Sequence, residues 1–507
     1  MKVIRLLVMG LVLLAGSLGV AQSDIYFAQS AQGNNNGADC NDAIAMSSLA
    51  WAAGNTYHVC GTISSGLTVG ASGTSGSPIT VLFEAGAMIS MPALPTTGAI
   101  NVNGQSYVTI DGGGNGVIQG TANGTPGDPN CINGSCSSQT LSQGVYCSGS
   151  GCHDLEIRNL TVSNIYVHTT GNSDGTGAPN GDGGITISGA GNNISIHNNY
   201  VNNAAACISA NTASGTVSNL NIYSNKTDQC NWHIQVGSAG TLNGYTIHDN
   251  EIINSTRWYD GTVDRFHHDG IFVYVGSTAY LVTSGQIYNN WWHGDMGGNA
   301  TSKLYLSDNI TYTYIFDNVF DDTSQTVNHN GVIYFGYGAD HTYILNNTFV
   351  GTGSLSGESA ITTVSTASNI TIQNNIISGF ASGNSLAGSP TITTYDNDLY
   401  YNITGLGANW FTLGSNTYNS WAAWQGTGYD AHGQYANPLL DASYQIQSGS
   451  PAIGLAANLT SLGITALDSD KAGAARPSSG AWDAGAYQFG SAAGKPAPPT
   501  GLTATVK

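Results

Sequence analysis

Residues 194–199, ISIHNN, set a pattern that returns along the chain as LNIYSN (220–225), YTIHDN (245–250), GQIYNN (285–290), YIFDN (314–318), YILNN (343–347), ITIQNN (370–375) and TTYDN (393–397). Each phrase alternates apolar and polar residues and then closes on Asn. The closing residues Asn199, Asn225, Asn250, Asn290, Asn318, Asn347, Asn375 and Asn397 are separated by 26, 25, 40, 28, 29, 28 and 22 positions. Short period-two segments at such intervals are the mark of a stacked solenoid. The units are too short and too rich in β-branched residues, Gly and Asn for helical repeats. The spacing predicts an all-β, right-handed parallel β-helix solenoid, in which each coil covers its neighbour's apolar edge. Asn at a fixed corner suits a stack of amides that satisfies turn backbone groups.

The pattern also divides the chain. Residues 1–22 hold two basic residues before an apolar run ending in small residues, which reads as a secretory signal peptide. Residues 23–100 are expected to form an N-terminal region and cap, 101–415 the solenoid core, 416–490 further coils or a cap, and 491–507 a linker-like tail. No later segment is long and apolar enough to cross a bilayer. The expected location is therefore secreted or periplasmic, and the expected state a monomer.

The 11 Lys and Arg against 30 Asp and Glu give a formal charge of -19, which excludes phosphate-led nucleic-acid binding. Eight Cys in an exported chain favour disulfides. Cys40 with Cys60, Cys131 with Cys136 and Cys147 with Cys152 are local candidates. Cys207 and Cys230 lie about one coil apart.

This architecture resembles the secreted pectate-lyase-like superfamily of right-handed parallel β-helix proteins over roughly residues 25 to 490. The ending DSDKAGAARPSSGAWDAGAYQFG is similar to the terminal segment of bacterial members. The resemblance implies a carbohydrate-active protein, although some members are adhesins or structural proteins. Asp321-Asp322 matches one element of the polygalacturonase series, but the ordered series is absent. So is the lyase pattern of calcium-binding Asp residues with a following catalytic Arg.

Candidate site residues come from where the repeat is interrupted. The intervals 159–199 and 250–290 each exceed a regular coil by about 14 residues, and solenoid insertions become surface loops that often wall a binding face. The second contains RWYDGTVDRFHHDGIFVY (257–274), dense in charge for this chain. Asp269 and Asp295 are the leading carboxylate pair for glycoside hydrolysis, with Asp182 and Asp322 as substitutes, because that reaction needs an acid and a second carboxylate. His268 or His293 would tune protonation, and His233 is expected beside Asp269. Arg257, Trp258, Arg265, His267, Trp291, Trp292, His293, Lys303, Asp322 and Asn330 are expected to bind substrate, with Trp291 and Trp292 as a stacking wall. Asp321 and His329 would extend the groove.

The cations Lys226, Arg257, Arg265 and Lys303 fit a second reading, a lyase acting on uronate-containing glycans. There, cations neutralise the substrate carboxylate while Lys226, His233, His268 or a Tyr moves a proton. A third reading is glycan binding or adhesion without catalysis. No cofactor is required by any of the three. Asp and Asn oxygens fit calcium, but no EF-hand loop specifies it. The HExxH, phosphate-loop and dinucleotide motifs are absent in their expected contexts.

Overall fold

The computed structural model describes residues 23–121, 142–165, 183–258, 268–298, 300–364, 367–388 and 390–490, with only the backbone of Arg257 among them. The chain is a right-handed parallel β-helix. Strand pairings between coils are parallel throughout the solenoid; Phe411–Leu413, parallel to Ser382–Leu386 of the coil before, also pairs antiparallel with Asn416–Tyr418. Each coil contributes to three sheets. In one coil, Ile310–Phe316 lies in the first sheet, Val319–Asp321 in the second and Ile333–Phe335 in the third. Inward Ile, Val, Leu and Phe from all three fill a single continuous core.

The repeated Asn forms the corner between the first and second sheets. Asn290 Nδ2 donates to Ile247 O at 2.9 Å and to Asn318 Oδ1 at 3.1 Å, and Asn290 Oδ1 accepts from Asn250 N and Nδ2 at 3.1 and 3.0 Å. The same four bonds recur down the stack, so a buried column of amides ties each coil to both neighbours. The residue before each rung sits in the left-handed region, as in Asn198, Ser224, Asp249, Asn289, Asp317, Asn346 and Asn374. Short polar side chains tolerate that conformation, which explains why the phrase ends in a pair.

This pairing corrects the sequence register at both ends. Asn397 (φ +63°) and Asn159 (φ +59°) are the left-handed members, and the rungs beside them are Asp398 and Leu160. Asp398 Oδ1 accepts from Asn375 N and Nδ2 at 2.7 and 2.9 Å, and Asp398 N donates to Asp430 Oδ1 at 3.2 Å. The column thus closes on two acids, both buried, beside the short helix Trp421–Gln425 whose Trp424 Nε1 donates to Asp430 Oδ2 at 2.9 Å. Burial, followed by the charge of Asp430, raises the Asp398 carboxyl well above the usual range. Burial also pushes Asp430 up to about 7.

Residues 437–490 then run back along the outside of the ladder corner. Gly485 N bonds Asn374 O, Asn346 Nδ2 donates to Asp483 O, Arg476 forms a two-bonded ion pair with Asp317, and Lys471 Nζ donates to Asn289 O and Asn290 O. Phe316, Leu345, Ile376 and Leu399 pack beneath this segment. Disulfides join Cys40 to Cys60, Cys147 to Cys152 and Cys207 to Cys230. Cys131 and Cys136 lie outside the described residues, as do the signal segment and the tail. Among the described residues no helix is long and apolar enough to cross a membrane.

Candidate functional site

The corner between the second and third sheets changes along the solenoid. In the coils of Tyr200–Thr212 and Lys226–Ser238 one bent strand serves both sheets. From Ile252 onward the corner opens into connections that carry His268, Asp295, Asp322, His329 and Glu358. At this corner the simple alternation of a strand fails, and two consecutive residues face inward. A side chain built at Gly270 would meet the Trp292 indole, and one at Gly184 would meet Val201 and Cys207, both inside. One position earlier the direction reverses. A side chain at Gly183 would meet Thr186, and Trp232 lies 6.5 Å from the outward Phe272.

Asp269 therefore belongs to the outer side of the third sheet, in register with Trp232 and Ser302 on the adjacent coils. It is fully buried there. Beyond it the same face carries half-buried Phe272, Tyr274, Tyr305 and Tyr334. Phe272 and Tyr305 stack at 4.9 Å with planes 11° apart, whereas Tyr334 crosses Tyr305 at 65°. Tyr337, in the next turn, is 63% exposed. Burial raises the phenols of Tyr274, Tyr305 and Tyr334, so they stay neutral donors at ordinary pH. The charge of Asp269 adds to the rise at Tyr305.

The remaining candidates are distributed over other places. His233 is buried at the inner corner, with Nδ1 2.9 Å from Thr227 Oγ1 and Nε2 3.0 Å from Ser255 Oγ. Burial, then the neighbouring His268 and Lys303, pushes it down to about 3, so it is neutral. His268, also buried, faces Met296 O and Trp258 O at 3.0 and 2.9 Å. Trp258 is buried and donates Nε1–H to Gln229 O. Trp292 lies wholly inside, stacked 4.4 Å from Phe320, so it cannot form the expected wall. Trp291 faces the other way on the second sheet, stacked 4.0 Å from His293, whose Nε2 is 3.0 Å from Glu251 Oε1.

Asp295 is held as a turn: Oδ1 accepts from Gly297 N at 2.8 Å and Oδ2 from Thr326 Oγ1 at 2.6 Å. Asn330 is exposed on its loop. Asp321 is buried and its Oδ1 accepts from Thr323 N and Oγ1. Asp182, Arg265 and His267 lie outside the described residues, as does the side chain of Arg257.

No protein-family model matches this chain, and no curated protein matches it. Among solved structures, a GH136 lacto-N-biosidase from Eubacterium ramulus aligns at 14% identity over 69% of this chain and 68% of its own, with a TM-score of 0.43. Pectate lyase Pel9A aligns at 14% identity over 93% of this chain and 97% of its own, with a TM-score of 0.37. A rhamnogalacturonan lyase aligns at 11% identity over 64% and 82%, with a TM-score of 0.31.

A buried ionic cluster lies behind the corner. Lys303 Nζ is 3.0 Å from Asp322 Oδ1 and donates to Asp321 O at 3.0 Å. His329 Nε2 is 3.1 Å from Asp322 Oδ2 and 3.5 Å from Glu358 Oε1. The donor atoms of Asp322, His329 and Glu358 all lie within 4.8 Å of one another, a set that could coordinate a metal ion. Against a large desolvation cost, Lys303 and then His329 hold Asp322 ionised, far below the usual range. Burial, then the Asp322 charge, pushes Glu358 up to about 10. Sequence reasoning placed Lys303, Asp322 and His329 on a groove and missed Glu358, one of four Glu in the chain. Its signal was positional: it precedes Ile361 by three residues, as Asn330 precedes Ile333, and those two Ile are in register.

The described cations are all committed. Arg158 pairs with Asp111 and Glu156, Lys226 with Glu251, Lys303 with Asp322 and Arg476 with Asp317, while Lys471 is bound to carbonyls.

Proposed function

We propose that the protein acts on a polysaccharide, hydrolysing a glycosidic bond along the outer face of the third sheet with Asp269 as the reacting carboxylate. The observation that carries this reading is the placement of Asp269 on the same face as Phe272, Tyr305 and Tyr334, with Tyr337 exposed beside them. Sugar rings offer apolar C–H faces with hydroxyls at the rim. The turned ring of Tyr334 and the free ring of Tyr337 supply aromatic faces, and neutral phenols supply donors. In hydrolysis the anomeric C–O bond breaks, water oxygen bonds the anomeric carbon, and a proton goes to the leaving oxygen. One carboxyl group supplies that proton and another takes one from water or attacks carbon. Asp269 would fill one role, and Asp182 is the proposed second.

Elimination needs a cation free to relieve a substrate carboxylate; the described Lys and Arg side chains are engaged, so in that reading Arg257 or Arg265 would have to supply it. Binding without catalysis is favoured by a different observation. The expected groove residues are spread over the outer third sheet, the outer second sheet and the interior, rather than gathered around Asp269.

The deciding experiment is a polysaccharide panel in heavy-oxygen water, with products read by mass spectrometry for wild type and Asp269→Asn. Fragments that gain labelled oxygen in wild type and vanish in the variant are expected. Unsaturated fragments without label would replace hydrolysis by elimination. Retention on a glycan with no fragments would leave binding as the function.

A further inference from the structure

The ionic cluster at Lys303, Asp322, His329 and Glu358 is not used by the proposed chemistry, and the hydrogen bonding of Glu358 within it is incomplete. Lys303 is matched by Asp322 at 3.0 Å, and all four side chains are buried. For ion pairing Glu358 has only His329 Nε2, 3.5 Å from Oε1, among the described residues. Neither of its oxygens accepts a hydrogen bond. Leaving carboxylate oxygens unsatisfied in the interior is costly, and more so when they are charged. Two remedies exist. A proton on Glu358 would be given to Asp322 and would satisfy one oxygen, with the other still unpaired. A cation bound by both oxygens of Glu358 would satisfy the pair.

The donor geometry fits the second remedy. His329 Nε2 is 3.1 Å from Asp322 Oδ2 and 3.5 Å from Glu358 Oε1. Ligands about 2.0–2.2 Å from a common small cation are separated by roughly 3–3.5 Å in tetrahedral or octahedral arrangements. We propose that Asp322, His329 and Glu358 form a binding site for a first-row divalent transition cation such as zinc or manganese. An imidazole beside two carboxylates suits those ions rather than calcium, which takes six to eight oxygens. Asp322 and His329 come from one coil's corner connection and Glu358 from the next. The ion would therefore bridge successive coils from inside, behind the outward face that carries Asp269. The site stands whether or not the protein hydrolyses a glycan.

The test uses the full chain, dialysed against a chelator and titrated by calorimetry with zinc chloride and with manganese chloride. Glu358→Gln, His329→Gln and His432→Ala are run in parallel. The last removes the exposed His432–Asp396 pair, the obvious place for surface zinc. One equivalent is expected to bind to wild type and to His432→Ala. At least tenfold weaker binding is expected in the other two. Zinc absorption spectroscopy on the wild-type complex should show one imidazole with oxygen ligands and no sulfur; this readout stands even if a variant fails to fold. Absence of binding to wild type overturns the site. So does unchanged affinity in folded Glu358→Gln, or an absorption spectrum with two or more imidazoles.

Discussion

Replacing Asp398 by Asn puts at the end of the amide column the side chain that its earlier rungs carry. In the native chain Asp398 Oδ1 accepts both bonds from Asn375, while Oδ2 is buried without a hydrogen-bond partner. Oδ2 occupies the position where the other rungs place an NH2. It faces acceptors there, and burial with the Asp430 charge favours its acid form. An unfolded Asp titrates near 3.9, so holding that proton at pH 7 costs about 4 kcal/mol. Because the folded carboxyl titrates above the unfolded one, its stabilising form is fully present below about pH 4 and is increasingly costly to keep as pH rises. Asp398→Asn removes the cost. The variant is expected to be more stable than wild type by up to about 4 kcal/mol at pH 7, with the gain shrinking by about 1.4 kcal/mol per pH unit and disappearing near pH 4. Denaturant midpoints of both proteins from pH 4 to 8 measure this, with amide exchange at the Asn375 and Asp398 N–H groups as the local readout. Parallel pH curves for the two proteins, or a variant less stable at pH 7, would refute the assignment of a proton to this rung.

Asn290→Ala removes four ladder bonds and strands the Asn250 N–H and the Ile247 carbonyl, so a loss of about 3–6 kcal/mol is expected in denaturant titration. Arg476→Ala leaves Asp317 buried without its partner; a loss of about 3–5 kcal/mol is expected, with faster amide exchange in residues 437–490. Replacing both Cys207 and Cys230 by Ala opens a 23-residue link between adjacent coils and should lower stability by about 3 kcal/mol, read from the same titrations. Tyr337→Ala removes the exposed ring beside the third-sheet strip and is expected to weaken glycan affinity about three- to tenfold with no change in thermal midpoint; unchanged affinity on a bound glycan would remove this face from the binding surface.

The solenoid was legible because its signal is redundant: eight phrases state one alternation and one corner. Register within the corner was less legible, since Asn serves both the rung and the left-handed position before it. Only the hydrogen bonds show that Asp398, not Asn397, continues the column. The candidate site was read from the interruptions of the repeat, which do not fix the direction of each side chain. At the corner two successive residues turn inward, which is why His233 and Lys303 are found inside rather than on a groove wall. Trp291 and Trp292 do obey alternation, and for that reason only one of them faces outward. Glu358 carried no motif; its meaning comes from Asp322 and His329, which the fold brings to it from the coil before.

The segment 437–490 has a consequence for how the chain is built. It contacts the coils of Asn290, Asp317, Asn346 and Asn374 at once, yet it follows all of them in the sequence. A solenoid without such a segment can add coils one at a time as the chain emerges, each resting on the last. Here the outer side of those coils keeps Phe316, Leu345 and Ile376 uncovered until residues more than a hundred positions later arrive. If the coils stack in the order they are made, an almost complete helix stands with an apolar flank still open. That interval between the last coil and the covering segment is when this chain is most exposed to aggregation or to a chaperone.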